Sequence, residues 1–260
     1  MSSERILVKE ISEKLREIWR GLADTRQIIN IKEKTGFRDI VTDVDIAIEK
    51  VLRDFLILLL PGTGYFGEET GKTSGEDFWI VDPVDGTTNF SRKNPHFATQ
   101  VALYSRKEII LGVVYDPSRD EMFTAIKSKG AFLNGNKIHV SDVSELEKSS
   151  VHTGLQYSSN TAFERVTLRI KQAIAKCRAL RIAGSACLDL CYVACGRSDI
   201  FWEESLQPWD VSAGKLIVEE AGGYVGSCLD EPFSLFAPNI LASNGNGKLL
   251  SSFKKNILNI

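Results

Sequence analysis

The segment Ile80-Val81-Asp82-Pro83-Val84-Asp85-Gly86-Thr87-Thr88-Asn89-Phe90 constrains this chain more than any other stretch. Phe78 and Trp79 precede it, and with Ile80 and Val81 they form a short apolar run that reads as a buried strand. That strand delivers Asp82 and Asp85 to its carboxyl end. Pro83 lacks an N–H and resists further strand pairing, so the chain is expected to turn there. Asp85-Gly86 is a turn pair, and Thr87 and Thr88 are good helix starters. Two carboxylates thus stand beside free backbone N–H groups. Carboxylates bind hard divalent cations, and N–H groups at a helix start bind phosphate oxygens.

At 260 residues, with 43% hydrophobic and 25% charged side chains, the chain can form one large domain or two closely packed halves. Lys+Arg 32 against Asp+Glu 34 gives a net charge of −2, so no overall basic field invites nucleic acid. The start, Met1-Ser2-Ser3-Glu4-Arg5, lacks the apolar stretch of a signal peptide. The run Phe55 to Leu60 is far too short to span a bilayer and reads as the buried end of a helix. These absences predict a cytoplasmic protein with no membrane partner. Five cysteines argue against a disulfide framework. Cys187, Cys191 and Cys195 recur every fourth residue; a soft-metal site there needs a further ligand, and they read as small packing residues. His96, His139 and His152 show no zinc spacing and read as structural or surface residues.

Helical spacing runs from Ile6 to about Leu22. Thr42, with Asp45 three residues later, predicts a capping box opening a helix through about Leu59, carrying Ile46, Ile48, Val51, Leu52 and Phe55. Ala98–Tyr104 and Ile109–Tyr115, joined by Ser105-Arg106-Lys107-Glu108, predict an antiparallel hairpin. Met122–Ile126 and Ile138–Val140 continue the strand pattern around a turn at Asn134-Gly135-Asn136. Helices are expected near Ala162–Lys176, from about Ser185, and from about Asp210 to Ala221, with Gly222-Gly223 as the stop; strands are expected near Ala179–Ile182 and Asp199–Trp202. Clustered strands alternating with helix pairs imply stacked layers.

Asp82 to Phe90 resembles the signature of the inositol monophosphatase family, Mg²⁺-dependent and lithium-sensitive phosphatases. Asp39-Ile40-Val41-Thr42-Asp43-Val44-Asp45 resembles the family's upstream aspartate motif, and Gly67-Glu68-Glu69 its glutamate motif. Trp209-Asp210-Val211-Ser212-Ala213-Gly214, followed by Glu219-Glu220-Ala221-Gly222-Gly223, resembles its second signature. The resemblance implies an α+β, five-layer αβαβα sandwich acting as one phosphatase unit over residues 1–260. Residues 1–148 would carry the metal and phosphate motifs, and 149–260 the substrate side and last metal ligand.

By the same resemblance, Glu68, Asp82 and the Val84 carbonyl hold a first Mg²⁺. Asp82 bridges to a second, completed by Asp85 and Asp210, with two or three ions in all. Thr87, Asp45 and Glu68 activate the water, and Gly86 and Thr87 hold the phosphate. Gly184, Ser185, Ala186 and Glu203 contact the alcohol, with Glu204 leaving that last assignment open by one position. All four carboxylates suit magnesium, which prefers oxygen ligands. Plainer readings stand beside these: Asp82 and Asp85 as turn formers, Glu68 and Glu69 as a solvated acidic pair in a loop, Asp210 as a helix cap and Asp45 as a first-turn carboxylate. Glu69 reads as a solvated loop residue and Trp209 as packing.

The implied activity is hydrolysis of inositol monophosphate or a related small polyol or sugar phosphate. Fructose-1,6-bisphosphatase, histidinol-phosphate phosphatase and 3′-phosphoadenosine 5′-phosphate phosphatase are the runners-up. A non-catalytic regulator retaining the fold is the alternative of another class. A homodimer and lithium inhibition are further implications of the resemblance.

Overall fold

Two long amphipathic helices cover one face of the molecule. α1 (Ser3–Ala23) buries Ile11, Leu15 and Trp19, and α2 (Asp43–Leu59) buries Val44, Ile48, Leu52 and Leu56, each set spaced by four residues. In this computed structural model, residues 3–23, 30–36, 39–73, 75–155 and 160–260 are described; Met1 and Ser2 of the N-terminal segment lie outside them. The end of α2 departs from expectation. Leu56 is buried but Leu58 is 80% exposed, because two residues advance the helix by about 200° and bring Leu58 to the opposite side. Ile46 and Val51 are exposed too.

Between these helices lies an antiparallel hairpin of β1 (Ile31–Gly36) and β2 (Asp39–Thr42). There follow β3 (Gly64–Gly67), β4 (Gly71–Lys72), β5 (Phe78–Asp85), the short helix α3 (Thr87–Ser91), β6 (Ala98–Ser105) and β7 (Glu108–Asp116). β8 (Glu121–Ile126), β9 (Ala131–Leu133) and β10 (Asn136–Lys137) complete an eight-stranded sheet of order β10-β9-β8-β7-β6-β5-β3-β4. β6 and β7 form the expected hairpin, with Arg106 and Lys107 at positive φ in its two-residue turn. The strand expected at Ile138–Val140 is instead the two-residue β10, since pairing with β9 ends at Lys137.

The second sheet comprises β11 (Ser150–Thr153), β12 (Ala179–Arg181), β13 (Ile200–Glu203), β14 (Tyr224–Ser227) and β15 (Ile240–Ser243), in the order β12-β11-β13-β15-β14. Its helices are α4 (Asn160–Lys176), α5 (Ala186–Ala194), α6 (Pro208–Glu220) and α7 (Gly247–Phe253). α1 and α2 lie outside the large sheet, α5 and α6 between the sheets, and α4 and α7 outside the small one. The layering is αβαβα.

α5 and α6 are apolar on most sides because they contact sheets on two. Cys187 and Cys191 are buried within that layer and Cys195 half-buried, in packing roles, and all five cysteines are free thiols. The fit is close. A Cβ on Gly112 of β7 would stand 3.0 Å from the Ala213 backbone of α6, and one on Gly214 would stand 2.7 Å from Leu190 of α5. Among the described residues, no helix is long and apolar enough to cross a membrane.

Candidate active site

β3 and β5 run parallel, pairing Gly67 with Val81, so both release their chains at the same edge of the sheet. Glu68 follows β3 directly, its N–H donating to the Val81 carbonyl at 3.3 Å, and therefore arrives beside Asp82. The expected turn at Pro83 is corrected: β5 continues to Asp85. Its pairing with β6 shifts from Asp82↔Gln100 to Asp85↔Ala98, one extra residue on β5. This bulge tolerates the missing N–H. It also resets the two-residue alternation, since aspartates three positions apart would otherwise face opposite sides of the sheet. Thr99 Oγ1 fastens the bulge by donating to the Pro83 carbonyl at 2.6 Å, and accepts from Trp19 Nε1 at 2.9 Å.

Gly86 then turns the chain at φ +96°, where a Cβ would sit 3.0 Å from the Gly184 carbonyl oxygen and 3.1 Å from that of His96. α3 begins at Thr87. The Thr87 hydroxyl lies 3.2 Å from Asp45 Oδ1 and 3.1 Å from the Val84 carbonyl, and can donate to one at a time. Asp45 closes the predicted capping box: its Oδ2 accepts from the Thr42 N–H at 3.0 Å and from the Thr42 hydroxyl. Burial holds the Asp45 carboxyl above its ordinary range, against the hydrogen bonds from Thr42 and Thr87.

Asp85 Oδ2 accepts from Ser185 Oγ at 2.8 Å and from the Cys187 N–H at 2.6 Å. Ser185 is thus bonded to Asp85, and Gly184 and Ala186 beside it line the cleft. Asp210 sits in the first turn of α6, its Oδ2 accepting from the Gln207 N–H at 2.6 Å, so it caps the helix while facing the cleft. The helix starts at Pro208, two residues before the expected start, as proline suits the first helical position. Trp209 packs edge-on against Phe66 at 5.2 Å and also lines the cleft. Glu203 and Glu204 separate cleanly. Glu203 faces the cleft, whereas Glu204 accepts from Arg169 Nη1 at 2.6 Å and Arg165 Nε at 2.9 Å.

These residues line one cleft of about 960 Å³, which includes Glu68, Asp82, Val84, Asp85, Gly86, Thr87, Gly184, Ser185, Ala186, Glu203 and Asp210. Asp45 lies behind its wall and is reached through Thr87. Burial raises the pKa of Asp82, Asp85, Glu203 and Asp210. For Asp82, repulsion from Glu68, Asp85 and Asp210 adds to burial, while Ser185 and Cys187 moderate the rise at Asp85.

Among the described residues, no three His, Cys, Asp or Glu side chains already close on a single point as a metal shell. The donor set still fits magnesium. That ion keeps several waters and is commonly held by one or two carboxylates plus substrate phosphate, and these mutually repelling carboxylates lack sulfur or imidazole among them.

Several supporting residues escaped the sequence reading. Lys34, from the β1–β2 hairpin, donates to Glu68 Oε1 at 2.9 Å and to Glu69 Oε1 at 2.5 Å. Glu69 is therefore an ion-paired, half-buried residue rather than a solvated one. Buried Glu49 accepts from the Glu69 and Thr70 N–H groups at 2.8 Å each and from the Thr70 hydroxyl, fixing the turn after Glu68. Each such bond to a charged group contributes about 1.5–3 kcal/mol. Gln100 donates to the Trp209 carbonyl and accepts from the Ala213 N–H at 3.1 Å, tying β6 to α6. A Cβ on Gly154 would lie 2.0 Å from Glu203 Oε2, so this glycine leaves the room in which the Glu203 carboxylate rests.

Behind the Ser185 turn, His152 Nδ1 lies 2.6 Å from Asp189. Burial pushes Asp189 up to about 6 and His96, whose Nε2 is 3.9 Å from Asp189, down to about 4. Both histidines are structural, while His139 is exposed.

The model of the inositol monophosphatase family matches residues 3–258. The chain is 43% identical over 225 residues to inositol monophosphatase 2 of Solanum lycopersicum, covering 83% of this chain and 85% of that protein. It is 38% identical over 224 residues to the Nus factor SuhB of Escherichia coli (strain K12), covering 85% and 84%. The crystal structure of the extragenic suppressor protein suhB from Bartonella henselae superposes with a TM-score of 0.88 at 33% identity, covering 97% of each chain. A shared fold, near-complete coverage and a cleft lined by Glu68, Asp82, Asp85, Thr87 and Asp210 of the motifs lead to one assignment: the chain belongs to the inositol monophosphatase family.

Proposed function

We propose that this phosphomonoesterase is Mg²⁺-dependent and hydrolyses inositol monophosphate or a similarly small polyol or sugar phosphate. It would work as one unit, with metal and phosphate contacts from residues 1–148 and the substrate side and Asp210 from 149–260. One observation carries the reading. Glu68, Asp82, Asp85 and Asp210, from three separate chain segments, line a single cleft, and all have pKa values raised by burial. Such a cluster is stable in ionised form only with cations.

Glu68, Asp82 and the Val84 carbonyl would hold one Mg²⁺, and Asp82, Asp85 and Asp210 another. The bound ions supply charge neutralisation of the ester and stabilisation of the leaving alkoxide. The chain's own groups do the rest. The N–H groups of Gly86 and Thr87, at the start of α3, hold phosphate oxygens. The Thr87 hydroxyl takes a proton from the adjacent water as it passes its own to Asp45, whose raised pKa makes it a stronger base. Glu68, lining the same cleft, would help activate that water. The water oxygen bonds to phosphorus as the P–O bond to the alcohol breaks; the alcohol oxygen leaves with the bonding pair and is then protonated. Glu203 accepts hydroxyls of the alcohol and sets discrimination among esters.

The test is phosphate release with Mg²⁺ from inositol 1-phosphate, fructose 1,6-bisphosphate, histidinol phosphate and 3′-phosphoadenosine 5′-phosphate. EDTA and Li⁺ arms run alongside. Release led by inositol 1-phosphate, abolished by EDTA and suppressed by Li⁺, is expected. Another leading substrate would move the chain to that branch, and undiminished release in EDTA would overturn the metal dependence.

The likeness to the Nus factor SuhB favours a second reading, a regulator that keeps the fold. The complete carboxylate set weighs towards turnover, and silence across the whole panel would favour regulation. The assembly would be a homodimer. Phe163, Leu168 and Ile174 of α4 are 51%, 55% and 67% exposed, apolar side chains that a second copy would cover. Sedimentation at one chain's mass at micromolar concentration would remove that part of the reading.

A further inference from the structure

Asn89 has no part in the chemistry above, yet its amide joins the two sheets' contributions to the cleft. Its Nδ2 donates to the carbonyls of His96 and Ala183 at 2.8 Å each and lies 3.3 Å from that of Gly184. Its Oδ1 accepts from Asn94 Nδ2 at 2.8 Å. Only this orientation satisfies all four neighbours, since the flipped amide would set oxygen against carbonyl oxygens and nitrogen against a donor. Residues 183 and 184 come from the loop between β12 and α5; Asn89 lies in α3, just past the phosphate-holding turn.

The next residues of that loop hold Asp85. Ser185 Oγ and the Cys187 N–H both donate to its Oδ2, and the Gly86 backbone abuts the Gly184 carbonyl. These contacts form a closed circuit. Asp85 leads into Gly86 and α3; α3 carries Asn89; Asn89 grips Ala183 and Gly184; and the following residues return to Asp85. Ser185 and Cys187 fix only one end of the loop. With Asn89 removed, the other end would rest on backbone contact alone.

We propose that Asn89 is a positioning residue. It holds the Gly184-Ser185-Ala186 segment in register with the phosphate-holding turn and, through Ser185 and the Cys187 amide, aims Asp85 into the cleft. The functional part rests on the reading of Asp85 as a metal ligand, whereas the structural part does not.

The test pairs Asn89→Ala with Asn89→Asp, which keeps the shape and the acceptor for Asn94 but loses both donors. Hydrogen exchange of the backbone amides is the first measurement. In both variants the Cys187 amide should exchange about tenfold faster, the effect of losing a hydrogen bond's worth of local restraint, while amides deep in α5 keep their protection. Unchanged exchange at Cys187, or a uniform rise throughout α5, would overturn the proposal, the latter by showing general loosening.

The second measurement is the Mg²⁺ concentration at the midpoint of the thermal-stability shift, with Ser185→Ala and the double variant included. Asn89→Ala should raise that midpoint several-fold, and Asn89→Ala/Ser185→Ala should exceed the larger single effect by no more than about twofold, because residues acting through one contact are not additive. Multiplying effects would overturn the route through Ser185. Faster Cys187 exchange with an unmoved midpoint would overturn the functional part. A wild type that releases no phosphate would sink the phosphatase reading alone, since the exchange experiment requires no turnover.

Discussion

Replacing Asp85 with asparagine is expected to lower turnover by roughly 10³-fold, the loss of several kcal/mol of Lewis-acid stabilisation, without unfolding the protein. The two donors on Oδ2, Ser185 Oγ and the Cys187 N–H, compel the asparagine oxygen to take that place. The amide nitrogen then points into the cleft as a donor where a cation requires an acceptor. Stability should move the other way. Burial raises the folded-state pKa of Asp85, so above that pKa the ionised carboxylate destabilises the metal-free protein. The neutral amide removes that cost, and metal-free Asp85→Asn should melt at or above the wild-type temperature. Added Mg²⁺ should raise its melting temperature less than it raises the wild type's. Wild-type activity in this variant would remove Asp85 from the ligand set, and a collapsed melting temperature would make its role structural.

Asp45→Asn should be nearly as costly but by a separable route: kcat down by about 10²–10³-fold, within the usual range for a positioned general base. Asp45 Oδ2 serves Thr42 at the start of α2, and Oδ1 faces the Thr87 hydroxyl. With the asparagine oxygen retained by the Thr42 N–H, its nitrogen donates towards Thr87 and leaves that hydroxyl only the Val84 carbonyl, 3.1 Å away, as acceptor. Water then loses its proton route through Thr87, while the cleft carboxylates, Glu68 among them, are untouched. KM and the Mg²⁺ midpoint should stay within about twofold of wild type, since no direct binding contact is removed. A Mg²⁺ midpoint that shifts in step with kcat would show that Asp45 acts on the metal rather than on the proton.

How far the site could be read from sequence depended on how far each residue's reason lies from it along the chain. Asp82, Asp85 and Gly86 were legible because strand, turn and helix start are consecutive, and Asp45 because its partner Thr42 is three residues away. Nothing local shows that residue 210 returns to residue 82; that came from the family motifs. Lys34 and Glu49 were not legible. One sits in a hairpin of alternating charges and the other looks like an ordinary helix-surface glutamate, and each finds its partners only in the folded chain, 20 or more residues on. Gly154 has the same character, its reason being the Glu203 carboxylate on a neighbouring strand. Pro83 shows the opposite error. The local rule about its missing N–H holds, but a bulge absorbed the defect and used it to bring two aspartates to one side. Helix lengths were well read for amphipathic α1 and α2. Burial within them was less so, as Leu58 shows.

The adjacent pair Glu203 and Glu204 also acts as an address for the end of β13. Successive strand residues face opposite sides, and here one side holds the cleft and the other the guanidinium groups of Arg165 and Arg169. If the strand slipped one residue in one direction, Trp202 would enter the cleft position and Glu203 would face the arginines. In the other direction Glu204 would face the cleft, and Ser205 would leave the buried Arg169 without its carboxylate. Breaking a buried charge pair in that way costs about 3–5 kcal/mol, enough to disfavour that second register by more than a hundredfold. The glutamate outside the cleft thus serves as proofreading for the one within it.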